Sequence, residues 1–187
     1  MTVAAEGIAM DIDKRITAVE DRLAIGQLPI RYALAVDGRD LDGWVSLFVP
    51  DVDCGRHGKG REALKGYITP QLRWFYRSLH LICGHRVELV DDTTATGKTY
   101  CRAEHEVGDR FVVMGICYDD VYAKVDGEWF FERRKERHWY AADLLERPQA
   151  VDFASWGRSP TPALPKAFPT WEAFWAGVDT APITSHP

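Results

Sequence analysis

The 187 residues contain no C-x-x-C pair. The four cysteines, Cys54, Cys83, Cys101 and Cys117, lie 29, 18 and 16 positions apart, which excludes a zinc ribbon. No H-E-x-x-H occurs, and His80, His85, His105 and Glu104 scatter over two strand faces, so no metal site is expected. No G-x-G-x-x-G follows a strand, and Gly58-Lys-Gly60 lacks the rest of a phosphate loop, so no nucleotide and no other cofactor is expected. The absence of G-x-S-x-G leaves serine hydrolase chemistry without support. No apolar run approaches the ~20 residues that cross a bilayer. The first residues lack the basic start and apolar stretch of a secretory signal, and a cytoplasmic protein with reduced thiols is expected. Positive charge is also scarce: 23 Lys and Arg against 28 Asp and Glu give a net charge of -5, which disfavours a nucleic-acid partner. The basic cluster Arg133-Arg134-Lys135, flanked by Glu132 and Glu136, reads as a solvated strand face.

What is abundant is aromatic area. Seven Trp, seven Tyr and eight Phe fill a core and can line a pocket for an apolar ligand. The length suits one domain with an extension. Residues 1–11 read as a loose tail. Asp11 or Asp13 can cap a helix whose apolar positions Ile16, Val19 and Leu23 share one face. Pro29 should kink that helix or split it. A second helical stretch over 30–36 ends at Asp37-Gly38-Arg39-Asp40, where Gly38 can take a left-handed cap. A short helix over 41–48, a short strand at 52–54, a turn at 55–60 and a helix over 61–76 interrupted near Pro70 follow.

From position 80 the pattern changes to strands. Residues 80–90 are rich in Leu, Ile and Val. Over 95–107, Cys101, Ala103, His105 and Val107 fall on one face, and Lys98, Arg102, Glu104 and Glu106 on the other. Gly108-Asp109 and Asp126-Gly127 are hairpin signals that join this strand to strands at 110–125 and 128–140. Helices followed by an antiparallel meander argue for an α+β fold with helices on one face of a curved sheet. The domain is expected over 12–147. Residues 148–187 hold seven of the ten prolines together with Trp and Phe. They read as an extension that covers the pocket or a subunit interface, with a short helix over 170–178.

The run Ile30-Arg-Tyr-Ala-Leu-Ala-Val-Asp-Gly-Arg-Asp-Leu-Asp-Gly-Trp, followed by Leu47-Phe-Val-Pro-Asp51, resembles the opening of SnoaL-like proteins. These belong to the nuclear transport factor 2-like superfamily, with scytalone dehydratase and bile acid dehydratase among its members. Gly60-Arg-Glu-Ala, Leu79-His-Leu-Ile-Cys-Gly-His85, Thr94-Ala-Thr-Gly and Asp126-Gly-Glu-Trp129 fall in the order that family uses, over roughly residues 15–145. The resemblance implies a cone-shaped barrel, a mixed and mainly antiparallel sheet closed on one side by helices, with a ligand in the hollow. It also implies a pocket holding Tyr32, Asp37 and His80, and a homodimer or homotrimer.

An aspartate against an imidazole fixes its tautomer and raises its basicity, and a tyrosine can donate to a developing oxyanion. His80 is therefore expected as general base, oriented by Asp37, with Tyr32 as donor. His105 lies on the apolar face of its strand, where a polar ring must find a partner or face a cavity, and is expected as a secondary partner. Phe48, Trp74, Phe75, Met114 and Tyr118 are candidate wall residues. His85 has the opposite strand parity to His80 and points elsewhere unless a bulge intervenes. No tyrosine stands near Arg56 and His57, where related dehydratases carry one, and neither His57 nor His138 has a context that assigns it. The expected function is a cofactor-independent lyase acting on a hydrophobic aromatic or polycyclic alcohol, losing water or a small carbonyl fragment. An isomerase or polyketide-type cyclase, or a non-catalytic binding or dimerisation module, stands as the alternative.

Overall fold

A computed structural model describes residues 2–145 and 176–177, with side chains from residue 12 onward. Of the expected extension only Ala176 and Gly177 are described, in a turn. The proposed cover of the pocket or interface lies outside the described residues. No described helix is long and apolar enough to cross a membrane.

The chain opens with α1, Thr2–Asp37, a single helix. The expected loose tail is helical instead, since residues 2–11 hold one glycine and no proline to stop it. Pro29 does not split the helix. Ile25, Leu28 and Pro29 are all buried, and each buried apolar side chain contributes about 1.5–3 kcal/mol against the ~3 kcal/mol cost of an interior proline. The buried stripe is Ile25, Leu28, Ala33 and Val36, whereas Ile16, Val19 and Leu23 are exposed. The helix carries two apolar stripes, and periodicity alone did not say which one the sheet would take.

α1 ends in a Schellman turn: the Asp40 N–H donates to Ala35 O at 2.9 Å and the Arg39 N–H to Val36 O at 3.1 Å. The left-handed residue is Arg39, with φ 59°, rather than the expected Gly38. Its guanidinium offsets that strain by donating to Val36 O, to Ser78 Oγ and to Phe75 O. This ties the helix terminus to the first strand. Asp40 then caps α2, Leu41–Ser46, by accepting from the Gly43 N–H at 2.8 Å. The expected strand at 52–54 reduces to one bridge, Asp53 with Lys59, beside a single turn of 3-10 helix at Gly55–His57. α3 spans Arg61–Leu72 and contains Pro70.

Among the described residues four strands follow: β1 Ser78–Leu89, β2 Thr94–Val107, β3 Arg110–Val125 and β4 Glu128–Asp143. They form one antiparallel sheet in chain order. Among the described residues, the expected mixed character is limited to a parallel bridge between Phe48 and Phe131. Asp126 and Gly127, with φ 51° and 85°, make the two-residue turn that matches strand twist. Bulges interrupt β1 between Ile82 and Gly84, and the β3–β4 ladder at Gly115/Ile116 and Val121/Tyr122. Each bulge re-aims the residues beyond it. The helices cover one end of the concave face around Tyr122, Phe131 and Trp44, and a second cluster, with Cys101, Ala103, Met114 and Ile116, lies toward the other end.

Candidate active site

The last helical residue of α1 reaches the start of β1. Asp37 Oδ1 lies 2.7 Å from His80 Nδ1, and Asp37 Oδ2 accepts from the His80 backbone N–H at 2.8 Å. Ser78 Oγ donates to Oδ1 at 2.9 Å and is itself held by Arg39. Burial works to raise the Asp37 carboxyl, but the donors of His80 and Ser78 outweigh it and hold the group below its ordinary range. An ionised Asp37 keeps the imidazole proton on Nδ1, so Nε2 is left as a free acceptor. Nε2 has no protein partner among the described residues, and His80 lines a cavity of about 500 Å³.

The same cavity is lined by Tyr32, Trp74, Phe75, Met114, Tyr118 and His105. Tyr32 and Asp37 are five residues apart, yet both serve this space: Tyr32 lines it directly and Asp37 stands behind His80. Phe48 does not line it. Its backbone bridges to Phe131, and its ring packs between Trp44 and Phe131 at centroid distances of 4.9 and 5.3 Å, which fixes it in the core. Arg56 and Tyr67 also reach the wall, so a tyrosine does arrive, from α3.

His105 stands edge-on to His80 at 5.5 Å and against the Phe75 ring at 4.2 Å. Its Nδ1 is buried without a hydrogen-bond partner among the described residues. Burial, and then the neighbouring His80, push its pKa down to about 4. Two adjacent imidazoles do not both take a proton easily, and His105 is held neutral. Burial raises the Tyr32 phenol against the opposing pull of Arg134, so Tyr32 stays a neutral hydrogen-bond donor.

Residues 17–135 match the SnoaL-like domain family. The chain belongs to that family. An uncharacterised protein of Mycobacterium tuberculosis is 30% identical over 134 residues, which cover 65% of this chain and 87% of that one. A protein assigned as a scytalone dehydratase in Novosphingobium aromaticivorans is 24% identical with a TM-score of 0.61, covering 72% of this chain and 94% of its own. Hexachlorocyclohexane dehydrochlorinase from Novosphingobium barchaimii is 21% identical with a TM-score of 0.63, covering 71% and 96%. These structural likenesses show a shared fold. Together with the cavity, the SnoaL-like fold supports a small-molecule-binding or catalytic role.

This SnoaL-like domain also holds polar groups that sequence reasoning missed. On β4, Arg134, Glu136 and His138 pair with Asp120, Tyr118 and Ile116 of β3 and share the concave face. Glu136 Oε1 lies 2.6 Å from His138 Nε2, and both residues line the cavity. Arg134 corrects the reading of its cluster as a solvated face. Its side chain is 3% exposed, and it donates to Asp120 Oδ1 and Oδ2 at 2.8 and 2.9 Å. Its guanidinium carbon lies 4.1–4.4 Å from the ring centres of Tyr118, Tyr32 and Phe131. Of the three basic residues, Arg133 and Lys135 face solvent.

Asp120 Oδ2 also accepts from Thr99 Oγ1 and Tyr122 Oη, each at 3.0 Å, and His85 Nε2 is 2.8 Å from Tyr122 Oη. The β1 bulge turns His85 inward against its parity, since His80 pairs with Ala103 but His85 pairs with Thr99. Residues 132–137 are charged without a break, so no alternation marked their inner face. The one available signal was register: β3 carries Tyr118, Asp120 and Tyr122 at period two, and a hairpin closed at Asp126-Gly127 sets their partners.

Proposed function

We propose that this chain is a cofactor-independent lyase that eliminates water from a hydrophobic aromatic or polycyclic alcohol. The observation that carries the reading is the Asp37–His80 pair: an imidazole oriented from behind by an ionised carboxylate, with its free Nε2 turned to a cavity walled by aromatic rings. His80 Nε2 takes the proton from the carbon beside the alcohol carbon. The C–H electron pair becomes the new C=C bond, and the C–O pair leaves with the oxygen. The departing oxygen accepts a hydrogen bond from Tyr32 and takes the proton from Nε2, which returns His80 to its neutral form. The neutral His105 beside it leaves room for the transient imidazolium.

The test is product mass. The purified protein is incubated with a panel of aryl and polycyclic alcohols, and products are weighed by mass spectrometry. Loss of water from one of them, reduced about 10²-fold or more in His80→Gln, is the expected outcome. Products of unchanged mass indicate isomerisation, and full turnover by His80→Gln removes His80 from the base role.

A further inference from the structure

Glu136 has one hydrogen-bond partner among the described residues, His138, and that partner occupies only Oε1. The Glu136 side chain stays 42% accessible, and it lines the cavity. A carboxylate there keeps its water only while the cavity is empty. A ligand filling about 500 Å³ between Phe75, Met114 and Tyr118 displaces that water, and burying a carboxylate whose Oε2 has no donor is costly. Hydrogen bonding to His138 further favours the ionised form, against burial, which disfavours it. A hydrocarbon or halocarbon ligand offers the group nothing, and a carboxylate ligand repels it.

We propose that Glu136 recognises a donor hydroxyl of the substrate, at a point of the cavity separate from His80. The substrate class is then a neutral compound with at least two hydroxyl groups, one that leaves and one that docks on Glu136. A substrate ammonium is disfavoured, because the same space must hold the imidazolium of His80 during turnover. This inference rests on the lyase reading of the cavity.

Isothermal titration of 2-naphthol, 2,6-dihydroxynaphthalene and 6-hydroxy-2-naphthoate separates the possibilities. In the native protein the diol binds about 10- to 100-fold tighter than the mono-ol, as a hydrogen bond to a charged group implies, and the acid does not bind. In Glu136→Gln the diol preference shrinks toward unity and binding of the acid appears, a gain that misfolding does not produce. In His80→Ala the diol preference persists. Equal binding of diol and mono-ol by the native protein overturns the inference, as does a preference that survives in Glu136→Gln or vanishes in His80→Ala. If none of the three ligands binds either protein, the lyase reading itself fails and this inference falls with it.

Discussion

Replacing Arg134 by Leu should cost about 3–5 kcal/mol of folding stability. The native pair is almost dry, with side-chain exposures of 3% for Arg134 and 0% for Asp120. Without the guanidinium, Oδ2 keeps Thr99 and Tyr122 as donors, but Oδ1 loses its one partner. An unsatisfied buried oxygen costs about 1–3 kcal/mol, and an unpaired buried charge brings the total for a broken pair to about 3–5 kcal/mol. Leucine refills part of the space among Tyr32, Tyr118 and Phe131, so the cavity contribution is the smaller one. The double variant Arg134→Leu/Asp120→Leu removes both charges and should return to within about 1 kcal/mol of native, because replacing a whole buried pair by apolar groups is often neutral. Urea midpoints of native, single and double variants, read with their m-values, give the cycle directly. A single-variant cost under about 1 kcal/mol refutes the assignment of Arg134 as the counter-charge of the interior. A double variant as unstable as the two singles combined refutes the coupling.

Three further outcomes follow from the geometry. Asp37→Asn keeps the shape but removes the charge that holds the Nδ1 proton, so ¹⁵N NMR should show His80 shifted toward the Nε2–H tautomer, and turnover should drop about 10²- to 10⁴-fold. An unchanged tautomer refutes the orienting role. His105, at about 4 against an ordinary 6.5, is a depressed base. Its unfolded form binds a proton first, so it lowers stability progressively from pH 6.5 down to about 4, by about 3 kcal/mol in all. His105→Gln should flatten that part of the stability curve, and an unaltered slope counts against it. Gly97→Ala puts a Cβ 2.8 Å from Arg86 O and 3.1 Å from His85 Nε2. It should cost about 1–3 kcal/mol by denaturant melt and displace His85 from Tyr122; a neutral substitution there contradicts the close packing.

Much of the architecture was readable without coordinates. The two-residue period over 95–107 and the turn pairs at 108–109 and 126–127 specify three strands of the meander, because a tight antiparallel turn leaves little choice of partner. The family pattern pointed to the segments whose Asp37 and His80 meet and whose Tyr32 lines the same cavity. Local signals failed where a residue's direction depends on something distant. His85 and Arg134 face inward because bulges and pairing set their side, and a charged strand shows no alternation from which to read it.

Sequence alone settled the types of the longer elements and the acid–base inventory, though not the helical start at 2–11 or the lone bridge at Asp53, since backbone preference, turn chemistry and titratable groups are properties of short segments. Tertiary structure decided which groups share a space. It joined Asp37 to His80 through a Schellman turn and Arg39, sent Phe48 into the core, and placed Glu136 and His138 on the cavity wall. Convergence of residues far apart in the chain is a consequence of strand register and helix docking, and neither is encoded at any one position.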